Sequence, residues 1–109
     1  MKRALEVRVV LVMCGSLREG RRIARSVVGK RLAACANMGT AAVESVYWWK
    51  GKMEKAREFP LTIKTTEGRV KELEKEVKRW HSYDVAEFLV LPVEGGSREY
   101  LSWVQNSVK

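Results

Sequence analysis

Apolar residues along the chain follow two periodicities, and their order predicts the architecture. Val7, Val9, Val10, Leu11 and Val12 make residues 6–13 a near-continuous apolar run, the pattern of a strand buried on both faces. Ser16-Leu17-Arg18-Glu19 then matches a capping box, in which the serine oxygen accepts from the third helical N–H and Glu19 reaches back. The helix that follows buries Ala24, Val27, Val28, Leu32 and Cys35 at three- and four-residue spacing and turns its arginines outward. Gly20 and Gly29 weaken it.

Residues 43–50 are rich in β-branched and aromatic side chains, and Lys50-Gly51-Lys52 supplies a turn. The hairpin partner runs through Ile63 and Thr65. Pro60 cannot donate to a ladder, which predicts an edge position or a bulge near Phe59. Thr66 is placed to cap the next helix, where Val70, Leu73, Val77 and Trp80 form an amphipathic stripe and the mixed Glu and Lys faces are solvated. Residues 85–93 read as a fourth strand, and Ser97 opens a last short helix carrying Tyr100, Leu101, Trp103 and Val104. The order β-α-β-β-α-β-α is the split βαβ, or ferredoxin-like, arrangement of an α+β protein, a βαββαβ unit followed by a C-terminal helix. Right-handed crossovers place both long helices on one face of an antiparallel sheet. The opposite face then needs a cover that only a second subunit, or in part the last helix, can provide.

With 109 residues, 46% of them hydrophobic, the chain fits a single domain over residues 1–109 with a modest core. No stretch approaches the roughly 20 apolar residues of a membrane-spanning helix. The start of the chain carries no signal-peptide pattern, so a cytoplasmic location is expected. Cys14 and Cys35 lack CxxC spacing and a zinc set, and in a reducing cytosol both are free thiols. The net charge is +8, and residues 1–31 hold nine basic against two acidic side chains, nearly the whole excess. Such a face can attract polyanions. No aromatic residue is interleaved with these charges, and the RRM signature is absent, which argues against nucleic acid as the partner.

Candidate chemistry collects around the only histidine, His81, which shares a segment with Tyr83 and Glu87. Glu87 in an apolar row is costly to bury unpaired, and Lys64 poses the same question. An ion pair between the two and a shared polar cleft both remain open. His81 follows a helix end, where it could cap the last carbonyls or serve as a ligand. Imidazole, thiolate and carboxylate together suit a borderline metal such as Cu(II) or Zn(II). No nucleophile elbow, P-loop, dinucleotide fingerprint or HExxH is present, so nothing recommends an enzyme.

Several of these segments, in this order, resemble the CutA family of divalent-cation tolerance proteins. They are Ile23-Ala24-Arg25, Lys30-Arg31-Leu32-Ala33-Ala34-Cys35-Ala36-Asn37, Val46-Tyr47-Trp48-Trp49-Lys50-Gly51-Lys52, Ile63-Lys64-Thr65, His81-Ser82-Tyr83-Asp84-Val85-Ala86-Glu87 and Tyr100-Leu101-Ser102-Trp103. The chain departs from the family pattern at Met13-Cys14-Gly15, at Lys50, at Pro60, and at Ser82 and Ala86, which stand where prolines are usual. The resemblance implies a ferredoxin-like homotrimer, kinship with PII-like signalling trimers, and binding of divalent metal ions, copper foremost, with no cofactor required. It implies Cys35, His81 and Glu87 as metal ligands and Lys64, Tyr83 and Trp48 as lining of a cleft between subunits. A PII-like sensor of small ligands, or an interaction module using the same clefts, is the alternative.

Overall fold

The computed structural model describes residues 6–109; the charged start of the chain, residues 1–5, counted above in the basic segment, lies outside the described residues. Strands β1 (Val7–Cys14), β2 (Cys35–Met38), β3 (Val43–Trp49), β4 (Lys52–Thr66) and β5 (Leu89–Pro92) alternate with helices α1 (Leu17–Gly29), α2 (Val70–Trp80) and α3 (Arg98–Ser107). The sheet runs β2-β4-β1-β5, all pairs antiparallel, with β3 joined to the first half of β4. This is the ferredoxin-like α+β fold with a C-terminal helix.

Strand β1 shows how alternation divides the molecule. Val10, Val12 and Cys14 are at most 1% exposed and pack with Leu61 and Ile63 of β4 beneath Ile23 and Val27 of α1 and Leu73 and Val77 of α2. Val9, Leu11 and Met13 point to the other face and are half-buried. Helix α3 covers one end of that second face, where Val7 packs with Ala34, Leu101 and Val104. Leu89 and Leu91, which pair with Leu11 and Val9, remain 54% and 43% exposed.

Four expectations change in detail. Helix α1 ends at Gly29 rather than running to Cys35, because Arg31 adopts a left-handed φ of 61°. The Leu32 N–H then reaches Val27 O and the Arg31 N–H reaches Val28 O, a Schellman pair that closes the helix and frees Cys35 to open the short strand β2. Second, β4 is central, with Pro60 opposite Met13 of β1. Proline is tolerated there because on the other side β2 stops at Met38 and β3 starts only at Val43, so no partner N–H bond is lost. Third, β5 spans Leu89–Pro92, and residues 81–88 are irregular. Fourth, a 3₁₀ turn (Glu67–Arg69) intervenes between Thr66 and α2, and Thr66 makes no side-chain cap.

The β3–β4 turn falls in the expected Lys50-Gly51-Lys52 segment but takes only two residues, Lys50 and Gly51, with φ values of 51° and 80°, and Lys52 already belongs to β4. On α2, Glu76 is not solvated. Its carboxylate, 8% exposed, accepts from Ser26 Oγ, from Trp80 Nε1 at 3.0 Å and from Lys30 Nζ at 2.9 Å, which ties α2 to α1. Those three donors hold its carboxyl well down, at about 2. Part of the basic segment is likewise consumed in packing, since the Arg22 guanidinium lies 4.8 Å from the Trp80 ring, which Arg79 of α2 also approaches at 4.9 Å.

Candidate functional site

Two adjoining features occupy the end of the sheet where β1 finishes. The first is a small polar cluster under the helices. Helix α2 ends at Trp80, and the His81 N–H still donates to Val77 O at 3.0 Å while its backbone turns extended. The imidazole swings inward until its side chain is only 1% exposed. Its Nε2 stands 2.7 Å from Met13 O, an acceptor, so Nε2 carries the proton. Nδ1 stands 3.2 Å from the Tyr83 N–H, a donor, so in the neutral ring Nδ1 offers its lone pair.

Glu19 completes the cluster from the first turn of α1. Ser16 Oγ accepts from the Glu19 N–H at 3.1 Å, which is the first half of the expected capping box. The second half is absent because the carboxylate turns away from Ser16. Oε1 accepts from the Ser82 N–H at 3.2 Å, and Oε2 lies 3.4 Å from His81 Nδ1. Oε2 is buried and has no hydrogen-bond partner. Cys14, the last residue of β1, brings its thiol alongside, so that one donor atom each of Cys14, Glu19 and His81 lies within 4.8 Å of the others. Burial, then the charges of Glu19 and Glu58, push the thiol up to about 12. Gly20 leaves room for Met38 beside the cluster: a Cβ there would collide with Met38 Cε, while its 3.5 Å to Cys14 Sγ would be ordinary contact.

The second feature is a cavity of about 580 Å³ between the β3–β4 hairpin and residues 81–88. Met13, Tyr47, Trp49 and Tyr83 form its apolar wall, and Glu58, Asp84 and Glu87 bring carboxylates. Tyr83 links cavity to cluster. Its hydroxyl donates to Glu58 Oε2 at 2.8 Å, and its ring centroid is 4.8 Å from that of His81. Burial and the Glu58 carboxylate both raise the phenol far above its ordinary range.

The expected ligands do not all meet. His81, Tyr83 and Glu87 share this end of the sheet. Cys35 pairs with Lys64, which pairs with Val9, five residues along β1 from Cys14 and so about 16 Å away. It also faces the opposite side of the sheet, where its Sγ is 3.7 Å from the Tyr100 hydroxyl. Lys64 donates to Asn37 Oδ1 rather than to Glu87. Trp48 is 74% exposed on β3, and its neighbour Trp49 lines the cavity instead. Cys14, read from the sequence as a free thiol, Glu19, read as a helix cap, and Glu58 were not among the expected site residues. The one available signal was Glu19, whose carboxylate three residues after Ser16 had two possible uses.

A ferredoxin-like sheet with a buried histidine at one end and an uncovered apolar face defines a small α+β protein with a C-terminal helix. Comparison with known proteins makes the class specific. The profile described as "CutA1 divalent ion tolerance protein" matches residues 8–107. The chain belongs to the CutA family. It is 43% identical over 101 residues to "Protein CutA 1, chloroplastic" of rice, covering 93% of this chain and 56% of that protein. It is 37% identical over 100 residues to "Divalent-cation tolerance protein CutA" of Archaeoglobus fulgidus, covering 92% and 96%. The chain thus spans about half the length of the plant relatives but nearly all of the archaeal one. Among solved structures, the divalent cation tolerance protein of Thermus thermophilus superposes with a TM-score of 0.91 at 37% identity, covering 94% of this chain and 99% of that one. No helix of the described residues is long and apolar enough to cross a membrane.

Proposed function

We propose that this protein is a cytoplasmic CutA homotrimer, a binding protein rather than an enzyme, that takes up divalent metal ions, copper foremost, at or near the clefts between its subunits. Tolerance to those ions is the process it serves. The observation that carries the reading is the uncovered apolar surface beside the histidine. Val46, Trp48 and Met53 on the hairpin are 60%, 74% and 69% exposed, and Leu89 and Leu91 add a separate exposed apolar patch on the open face of the sheet. A surface of this kind marks a protein contact. The cavity at its edge is lined by the carboxylates of Glu58, Asp84 and Glu87, which suits a cation, and Tyr83 connects it to the buried imidazole. The PII-like alternative, a small anion held by Lys64, is less well supported, since the cavity wall is acidic and does not include Lys64. Light scattering should return three times the chain mass. Isothermal titration with Cu(II) should give a defined stoichiometry per chain, and His81→Ala should abolish it. A monomer, or Cu(II) binding unaltered in His81→Ala, contradicts the proposal.

A further inference from the structure

We infer that Cys14, Glu19 and His81 form a thiolate-containing metal site within a single protomer, selective for soft and borderline ions. The inference rests on the divalent-cation reading above and says which atoms hold the ion. Three features of the cluster point to a cation. The orientation of His81 is already set, because its Nε2–H is committed to Met13 O, leaving Nδ1 as the ligating atom; metal-bound histidines are commonly anchored in this way, through the other ring nitrogen to a carbonyl. Glu19 is held from the far side by the Ser82 N–H, so that Oε2 is presented to the cluster with no donor to satisfy it. A buried carboxylate oxygen without a partner is expensive, and a metal ion removes the cost. Finally, two lone-pair atoms, Nδ1 and Oε2, face each other at 3.4 Å with sulfur beside them.

Dimensions agree with this assignment. A tetrahedral ion with bonds of about 2.0–2.3 Å sets its ligand atoms roughly 3.3–3.6 Å apart. The widest separation in the cluster is within 4.8 Å, so side-chain adjustments of about 1 Å close the set. On binding, the thiol proton passes to solvent, sulfur and Nδ1 donate to the ion, and the Tyr83 N–H gives up its contact with Nδ1. Three protein ligands leave a fourth position for water. A thiolate and an imidazole favour Zn(II), Co(II), Cd(II) and Cu(I) over Mg(II) and Ca(II). Cys35 has no part in this site, being on the other face of the sheet.

Cobalt(II) absorption tests it on the intact chain. The wild type should develop a sulfur-to-cobalt charge-transfer band saturating at one ion per chain, and excess Zn(II) but not Mg(II) should bleach it. Cys14→Ser should remove the band, Cys35→Ser should leave it, and Glu19→Gln should weaken cobalt binding about tenfold or more. Circular dichroism of each variant verifies folding. A band that survives Cys14→Ser, or is lost in Cys35→Ser, overturns the assignment. Cobalt retained in equilibrium dialysis without any thiolate band also overturns it while leaving the divalent-cation reading intact. No uptake of any divalent ion defeats both.

Discussion

The two faces of the sheet are built from the same kind of residue and end in opposite states. On the helix side, Val10, Val12, Leu61 and Ile63 are at most 1% exposed. On the other side, Leu89 and Leu91 stand half in solvent although they pair directly with Leu11 and Val9 of the same central strand. A strand apolar on both faces asks for two covers, and the described residues supply one and a fraction: α1 and α2 on one face, and α3 over Val7 on the other. Hydrophobic patterning therefore states how much burial a chain requires. It does not state whether the cover comes from the same chain.

The sharpest way to break this contrast is to truncate equivalent positions on the two faces. Ile63→Ala should cost about 3–4 kcal/mol in urea unfolding, because its site is closed by helices that cannot collapse onto the gap. Leu91→Ala should cost under about 1 kcal/mol in the isolated protomer, where the side chain is already 43% exposed. Equal losses would mean that the open face is packed in the protomer after all.

A smaller effect sharpens the description of the helix side. Glu76→Gln should cost about 1–2 kcal/mol at neutral pH, since the charge that accepts from Ser26, Trp80 and Lys30 is gone. Glu76 is lowered from about 4.5 to about 2 by those donors, so folding favours its ionised form. Its contribution is therefore complete above pH 4.5 and disappears as pH falls toward 2, and the gap between wild type and Glu76→Gln should close over that window. A gap that stays constant down to pH 2 would show that the carboxylate is not the stabilising group.

Most of the fold was legible because it is local. Periods of two and of three to four residues placed β1, β3, β4, β5 and the three helices, and the β-α-β-β-α-β order led to the split βαβ sheet. The end of α1 and the start of β2 were not legible, since apolar spacing continues through Leu32 to Cys35 while the stop depends on Arg31, not a glycine, entering the left-handed conformation two residues after Gly29. Residues 85–88 have strand composition, but Tyr83 is drawn to Glu58 and Glu87 to the cavity, and pairing begins only at Leu89. At the site, His81, Tyr83 and Glu87 were found together because one segment carries them. Cys14 and Cys35 could not be told apart by sequence. Register and pleat decide that one thiol meets His81 under the helices while the other faces Tyr100 across the sheet. Glu19 was concealed by its plausible role as a cap.

The central claim is a division of labour between faces: the helix side holds the ion within one protomer, and the open side holds the other subunits. Leu91→Glu tests it directly, by placing a charge in the open face away from the cluster. Light scattering and cobalt titration of that one variant form a single measurement. The expected result is a mass that falls from three chains to one and a cobalt–thiolate band per chain that does not change. A band that vanishes as the trimer dissociates would place the metal between subunits and contradict it.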